Sequence, residues 1–104
     1  MTSGLTDERG KGNLVGPVLL SGEFVQVIAD AIELDNPDRK LVVSDYLSYV
    51  RVHTPHECMI RRATVEHVLG RPFKMEELAS HMAAFSGQIE TSSEYVRFFF
   101  HSDR

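Results

Sequence analysis

The residues best suited to chemistry in this sequence lie in one short segment that is rich in histidine. It contains His53, His56 and Cys58, three side chains of the types that ligate zinc. His67 or His81 could supply a fourth ligand, but no second closely spaced pair of ligands follows in the sequence. A polar turn with its histidines facing water explains the segment better, because the proline between them would point the two rings in different directions. We therefore expect no metal and no cofactor.

Covalent catalysis has one candidate nucleophile, which is Cys58. In an alternating strand Cys58 shares its face with Ile60, so we expect a buried and unreactive thiol. The neighbouring acids Glu76 and Glu77 suit the first turn of a helix, where negative charge is stabilised. The glycines around Lys11 match no phosphate-binding pattern. The sequence therefore predicts a protein that is not an enzyme.

The composition narrows the class of protein further. The chain has 104 residues, which suits one domain, and its formal net charge of -4 disfavours binding to nucleic acid. No apolar run reaches membrane-spanning length, and the first residues lack the basic and apolar regions of a signal peptide. A single cysteine cannot form an internal disulfide and suits a reducing compartment. We expect a cytoplasmic protein that does not bind membranes and is monomeric when free.

The chain divides into an arm and a domain. Residues 1–12 are polar, contain three glycines and show no periodicity, which predicts a flexible N-terminal arm. Residues 13–104 carry the apolar patterns and form the domain. Their order of strand, helix, three strands, two short helices and two strands predicts an α+β fold. Its sheet should be mostly antiparallel and packed with one longer and two short helices.

The longer helix is the clearest element in the first half of the domain. Ser21 suits its N-cap, and Phe24, Ile28 and Ile32 share one face that should lie in the core. The apolar residues 13–20 before it predict a strand.

Three further strands are predicted after that helix. One is short, at 41–43, and one alternates between two faces from 46 to 53. Residues 57–61 should return as the hairpin partner of the alternating strand. Thr64 then suits the N-cap of a short helix that ends before Gly70.

The last third of the domain is predicted to hold one more short helix and two strands. Pro72 separates this helix from the preceding one. Its apolar stripe would consist of Met75, Leu78, Met82 and Phe85. The strands are expected at 85–90 and 94–100, joined by a polar turn.

Six short motifs occur in an order typical of one protein family. They are Asn13-Leu14-Val15-Gly16-Pro17, Asp35-Asn36-Pro37, Tyr49-Val50-Arg51, Leu69-Gly70-Arg71-Pro72-Phe73, Phe85-Ser86-Gly87-Gln88-Ile89 and Arg97-Phe98-Phe99-Phe100. With this set the chain resembles the effector proteins of bacterial multicomponent di-iron monooxygenases. It is most similar to those of toluene-4-monooxygenase and toluene/o-xylene monooxygenase.

The resemblance implies a cofactor-free protein that binds the di-iron hydroxylase component near its active-site entrance. Binding would reshape the active site, speed its reaction with oxygen and couple electron use to hydroxylation, while a ferredoxin and a reductase supply electrons. For the contact with the hydroxylase we select residues by expected exposure, side-chain chemistry and position in or beside the motifs. They are Asn36 at a turn, Tyr49 and Arg51 on one strand face, Met75 at a helix start and Ser86 at a strand start.

Two other classes of protein remain open. One is a stand-alone regulatory domain of α+β fold that binds a small ligand, although no polar ligand site is evident in the sequence. The other is a small zinc protein built on the histidine-rich segment.

Overall fold

Ten helices and strands make up the residues that the structure, a computed structural model, describes, which are 13–100. They are β1 (Leu14–Leu20), α1 (Phe24–Asp35), β2 (Val42–Asp45), β3 (Tyr49–Pro55), β4 (Glu57–Arg61), α2 (Arg62–Leu69), α3 (Met75–Ser80), β5 (Met82–Ser86), β6 (Gln88–Thr91) and β7 (Tyr95–Phe99). All strand pairs are antiparallel, and one longer helix accompanies two short ones, which confirms the predicted α+β fold. The predicted arm at residues 1–12 lies outside the described residues. No helix within them has the length and apolar character needed to cross a bilayer.

The strands form two sheets, in the orders β2-β3-β1-β5 and β4-β7-β6. The chain passes from one sheet to the other at His56 and again at Gly87, where φ is 69° and 92°. A Cβ atom at Gly87 would lie 2.6 Å from Val15 Cγ1 and 2.7 Å from the carbonyl oxygen of Phe99, so glycine is required there. At the first crossing the backbone N–H of His56 donates to the carbonyl of Asn13 at 2.7 Å.

These crossings change one predicted strand pairing and the extent of one predicted strand. Residues 57–61 are not the hairpin partner of the preceding strand, because β4 pairs with β7 while β3 pairs with β1 and β2. The positive φ of His56 turns the chain out of the first sheet before a hairpin can form. The single strand predicted at 85–90 is likewise two strands in different sheets, divided at Gly87.

The strand predicted from residue 46 begins later than its alternating pattern suggests. Tyr46, Leu47 and Ser48 form the turn from β2 to β3, and β3 begins at Tyr49. The backbone N–H of Tyr46 donates to the carbonyl of Tyr49 at 2.9 Å, which closes this turn. The two-residue alternation assigns Tyr46, Leu47 and Ser48 to a strand, but they lie at the tip of the β2–β3 hairpin.

Ser21 and Thr64 are not the helix caps that the sequence predicts, because their hydroxyls bond to other elements. The Ser21 hydroxyl donates to the carbonyl of Leu47 in the β2–β3 turn, and α1 begins after a glycine and a glutamate. The Thr64 hydroxyl donates to Asp35 Oδ1 at 2.7 Å, which ties α2 to the end of α1. Both hydroxyls thus join parts of the chain that are distant in sequence.

The helical stripe predicted through Met75, Leu78, Met82 and Phe85 covers a helix and then a strand. α3 ends at Ser80, and both Met82 and Phe85 lie on β5. Met75 and Leu78 are buried, and Met82 packs against the same core from the strand. The apolar spacing continues across a change of element, so periodicity alone places the helix end too late.

Both sheets and all three helices contribute to one hydrophobic core within the described residues. Ile28 and Ile32 on α1 are fully buried, as predicted. Phe24 is only half-buried, because it lies in the first turn of the helix. Its ring stacks on Phe73 and His81 with centroid separations of 5.7 Å and 4.2 Å. The apolar face of α1 is therefore the predicted one, with its first residue at the margin.

Ile28→Val should lower the free energy of unfolding by about 0.5–1.5 kcal/mol, because it removes one methyl group from a packed core. Ile28 has 0 % exposure, which leaves the vacated space no access to water. The matched control is Leu34→Val on the same helix, where the side chain is exposed and the change should stay within about 0.5 kcal/mol. Urea unfolding of both variants measures the difference, and equal effects would contradict the burial of this face.

Candidate functional site

The histidine-rich segment has three of its six residues buried, which are His53, Thr54 and Cys58. Cys58 is fully buried, and burial raises the pKa of its thiol to about 12, so the thiol stays protonated and inert, as expected. His53 is buried rather than facing water, contrary to the prediction, whereas His56 at the sheet crossing is exposed. Among residues 13–100, no three His, Cys, Asp or Glu side chains lie close enough together to hold a metal ion.

An exposed aromatic surface lies where β2 turns into β3. We call it the tyrosine patch, and it consists of Leu20, Tyr46, Leu47, Tyr49 and Arg51, all exposed. The rings of Tyr46 and Tyr49 stack with centroids 5.2 Å apart, and Arg51 Cζ lies 5.5 Å from the centroid of the Tyr46 ring. Leu20 lies opposite Tyr49 in the pairing of β1 with β3. Large apolar, tyrosine and arginine side chains exposed together are typical of protein-binding surfaces.

Leu47 is the most unusual residue of the tyrosine patch. It is 87 % exposed, and its φ of 75° lies in the left-handed region that bulky residues rarely adopt. Its backbone N–H donates to Asp45 Oδ1 at 2.8 Å, and its carbonyl accepts the hydrogen bond from Ser21. Such a backbone costs on the order of 1–3 kcal/mol and is most often found at functional sites. The fold gains no burial from this leucine, which is 87 % exposed.

Three of the five predicted contact residues lie on one face of the four-stranded sheet. Tyr49 and Arg51 are exposed in the tyrosine patch, two residues apart on β3. Ser86 is half-buried at the end of β5. There it lines a pocket of about 50 Å³ together with Arg51 and His53. The structure thus brings Ser86 close to two residues that are more than thirty positions away in sequence.

Asn36 and Met75 are buried, so the surface positions predicted for them are wrong. The side-chain amide of Asn36 donates to the carbonyls of Ile32 and Met59 at 2.7 Å and 2.9 Å, and its oxygen accepts from the Met59 N–H at 2.9 Å. Asn36 therefore joins the end of α1 to the free edge of β4. Met75 begins α3, but its side chain packs into the core beside Leu78, because α3 presents its apolar side to the sheet.

An apolar cleft of about 400 Å³ opens between α3 and β6. Its lining includes Met75, Leu78, Met82, Ile89 and Val96. Residues 91–93 add hydroxyl groups to its lining. The volume falls within the range of small-molecule sites. This cleft is the feature of the described chain that best fits the alternative of a small-ligand domain.

The relation of this chain to known proteins follows from its sequence over nearly the whole described range. The sequence model of the MmoB/DmpM family matches residues 13–99. The chain belongs to the MmoB/DmpM family. The effector subunit of the alkene monooxygenase system of Xanthobacter autotrophicus is 36 % identical to it over 90 residues. That alignment covers 86 % of this chain and 89 % of the relative.

Solved structures share the fold of this MmoB/DmpM-family chain. Chains from two structures of a phenol hydroxylase–regulatory protein complex match it with TM-scores of 0.72 and 0.69, each at 22 % sequence identity. The matches cover 85 % and 84 % of this chain and 99 % of each matched chain. The family match and the 36 % identical effector subunit confirm the resemblance to monooxygenase effector proteins that the six motifs carry. The 36 % identical relative is an effector subunit, so the family match places this chain among regulatory rather than catalytic components.

Sequence reasoning missed three residues of the tyrosine patch, which are Leu20, Tyr46 and Leu47. Leu20 ends an apolar run, and its pattern does not distinguish the last exposed residue from the buried ones before it. For Leu47 a signal exists, since it lies two residues after Asp45, and aspartate favours turns. An apolar side chain at a turn is expected to be exposed.

Proposed function

We propose that this chain is the effector subunit of a bacterial multicomponent di-iron monooxygenase and that it acts by binding the hydroxylase component. The observation that carries the proposal is the family match over residues 13–99. The 36 % identity to a named effector subunit of an alkene monooxygenase system supports it. The two solved complexes, which pair a phenol hydroxylase with a regulatory protein, support the choice of partner.

An effector without catalytic groups acts through the equilibrium between conformations of its partner. It can favour a reactive form of the hydroxylase only if it binds that form more tightly than the resting one. Through such binding the chain reshapes the active site, accelerates the reaction with oxygen and couples electron use to hydroxylation. The chain is then needed in amounts comparable to the hydroxylase, because each bound effector changes one partner.

We further propose that the hydroxylase acts on aromatic hydrocarbons of the toluene type and receives electrons from a ferredoxin and a reductase. The support for this narrower assignment is the resemblance of the six motifs between Asn13 and Phe100, in their order along the chain, to the toluene monooxygenase effectors. A substrate panel of toluene, phenol and a short alkene with the reconstituted system tests it. Turnover of the alkene alone would contradict the toluene-type assignment and leave the effector role intact.

The tyrosine patch is the surface we propose for the hydroxylase. Tyr49 and Arg51 contact the partner directly in this proposal, together with Leu20, Tyr46 and Leu47 of the same patch. The support is the stacking of the two tyrosines, their exposure and the strained backbone at Leu47. Tyrosine and arginine carry much of the binding energy in protein interfaces. Asn36 and Met75 contribute in this proposal by stabilising the fold.

The free chain is proposed to be a cytoplasmic monomer. Its single cysteine is fully buried in the core, which supports a protein that forms no disulfide with another copy. Sedimentation at chain concentrations from about one to one hundred times the dissociation constant of the hydroxylase complex would detect a dimer that competes with that complex.

The experiment that tests the proposed function is a titration of purified hydroxylase, ferredoxin and reductase with this chain. We expect the rate and the product formed per NADH consumed to rise and then saturate as the hydroxylase becomes fully bound. Boiled protein and an unrelated acidic protein of similar size are the controls. If a saturating amount changes neither the rate nor the coupling, the chain is not an effector of that hydroxylase.

The alternative of a stand-alone small-ligand domain has one observation in its favour, which is the cleft between α3 and β6. Its apolar lining with hydroxyl groups resembles a site for a small organic molecule. Val96→Phe would fill the cleft from β7. The ligand-binding alternative gains support if two results occur together. The free wild-type chain binds a small molecule without the hydroxylase, and Val96→Phe loses both that binding and the activation.

A further inference from the structure

A small pocket on the outer face of the four-stranded sheet brings together groups from three strands. Its volume is about 50 Å³, and Ser44 of β2, Arg51 and His53 of β3, and Ser86 of β5 all line it beside Tyr46. Strand pairing explains the arrangement, because Ser44 lies opposite Arg51 and Ser86 lies opposite Gly16 of β1. The pocket adjoins the tyrosine patch through Arg51 and Tyr46.

His53 in this pocket has a polar atom without a partner. The residue is 4 % exposed, and its Nε2 atom makes no hydrogen bond among residues 13–100. Buried polar atoms of folded proteins nearly always have a partner, so an unsatisfied one marks a place where another molecule can supply it. Burial, followed by the positive charge of Arg51, lowers the pKa of His53 to about 4 and keeps the ring neutral in the free protein.

Arg51 is the second group in the pocket that lacks a counterpart. Within residues 13–100, Arg51 is the one arginine without an ion pair, since carboxylates lie within 4.0 Å of each of the others. The others are Arg39, Arg61, Arg62, Arg71 and Arg97. Arg51 instead lies over the ring of Tyr46, with its guanidinium exposed. A guanidinium can form two parallel hydrogen bonds with one carboxylate. The other arginines of residues 13–100 all pair with carboxylates of this chain.

We propose that the pocket receives a carboxylate side chain of the hydroxylase, held jointly by Arg51 and His53. The inference rests on the proposed function, because it names the chemistry of the partner at the tyrosine patch. A carboxylate satisfies both groups at once, since one oxygen can accept from the guanidinium and the other from Nε2. The hydroxyls of Ser44 and Ser86 are additional donors at the wall of the pocket.

Size and charge favour a carboxylate over water alone. A space of about 50 Å³ holds more than one water molecule, so a group of three heavy atoms fits. Water would satisfy Nε2 but would leave the charge of Arg51 unpaired. The net charge of this chain is -4, so an unpaired cation on its surface stands out as a site for a negative group.

Docking should be coupled to protonation of His53. The elements around its ring contribute Gly16 from β1, Ser44 from β2 and Ser86 from β5, so Arg51 is the charged group of the described chain that faces it. A partner carboxylate favours the charged imidazolium and raises the pKa of His53 from its low value in the free protein. The complex therefore takes up a proton at pH values between about 4 and the raised pKa, and affinity for the hydroxylase should rise as pH falls through that interval.

The test is the dissociation constant of the complex between full-length chain and purified hydroxylase at pH 5, 6, 7 and 8. Arg51→Gln should weaken binding about tenfold at each pH, as loss of an interface arginine does. His53→Gln should also weaken binding. Its affinity should no longer rise at lower pH as the affinity of the wild-type chain does. Arg71→Gln is the matched control, since that arginine is also exposed but pairs with Glu77, and the affinity of this variant should stay within about twofold of wild type.

A histidine titration by NMR completes the test and separates its outcomes. The His53 signal should titrate near pH 4 in the free chain and at a clearly higher pH in the complex. Arg51→Gln keeps the test valid even if His53→Gln does not fold, because Arg51 is exposed. Wild-type affinity of Arg51→Gln, or an unchanged His53 titration in the complex, overturns the carboxylate pocket. Absence of any binding by the wild-type chain would instead refute the proposed function itself.

One rival occupant is a carboxylate of this chain, from Asp7 or Glu8. If it filled the pocket, Asp7→Asn with Glu8→Gln would lower the pKa of His53 in the free chain. That result would overturn the assignment to the hydroxylase. No change in the free chain, together with a raised pKa in the complex, supports it.

Discussion

Leu47→Asn should weaken binding to the hydroxylase about tenfold while leaving the fold as stable as the wild type or more stable. The loss of affinity, about 1.4 kcal/mol, is that of a modest apolar contact in a protein interface. Stability should not fall, because Leu47 is 87 % exposed and asparagine adopts a positive φ more readily than leucine. The hydrogen bonds of this turn to Asp45 and Ser21 involve the backbone of residue 47 and persist in the variant.

The measurements are thermal unfolding and a titration of activation against effector concentration. The half-saturating concentration should rise, and full activation should return at high concentration, because mass action restores the complex. Leu34→Asn is the matched control, since this exposed leucine lies on α1 and outside the tyrosine patch. Equal activation curves for Leu47→Asn and the wild type would remove Leu47 from the docking surface.

Asn36→Ala should lower the free energy of unfolding by about 3–5 kcal/mol, which is the largest effect we expect from a single polar side chain. The variant leaves the N–H and carbonyl of Met59 without partners at the free edge of β4 and loses the bond to Ile32. Each buried group left unsatisfied costs roughly 1–3 kcal/mol. Urea unfolding measures this change. The measurement is made below room temperature so that the variant is folded before urea is added.

Asn36→Asp tests the same site with a variant that keeps one of the three side-chain hydrogen bonds. Its oxygen can still accept from the Met59 N–H, but it loses both donated bonds and brings a negative charge to the Met59 carbonyl. At temperatures where these variants are folded, saturating amounts should activate the hydroxylase as fully as the wild type does. Normal stability with impaired activation would return Asn36 to the set of contact residues and contradict its structural role.

The fold class could be predicted because its signals are local. The apolar face of α1, the left-handed Gly70 after α2 and the acids in the first turn of α3 each act within a few residues. The same holds for the alternation in β4 and β7, whose buried residues are those the pattern assigns to one face. Local patterns of this kind determine the type of an element and the face that it buries.

The candidate site could be predicted only in part. Tyr49 and Arg51 were accessible to sequence reasoning because alternation along a strand puts them on one face. The exposure predicted for Asn36 was wrong, because its burial depends on Met59, which is 23 residues away. The prediction that His53 faces water was wrong for a similar reason. His53 lies beside a turn, but it is buried on a sheet whose strands are remote in sequence.

The sequence by itself determined the family, the α+β class and the likeness to an effector protein, because these follow from local patterns and from motifs in a fixed order. Only the tertiary structure decided which strands share a sheet, that Met75 and Asn36 are internal, and that Leu47 and Tyr46 form one surface with Arg51. The physical reason is that burial and strand pairing depend on what the rest of the chain places against a residue. Two positive φ angles, at His56 and Gly87, set that arrangement by sending the chain from one sheet to the other.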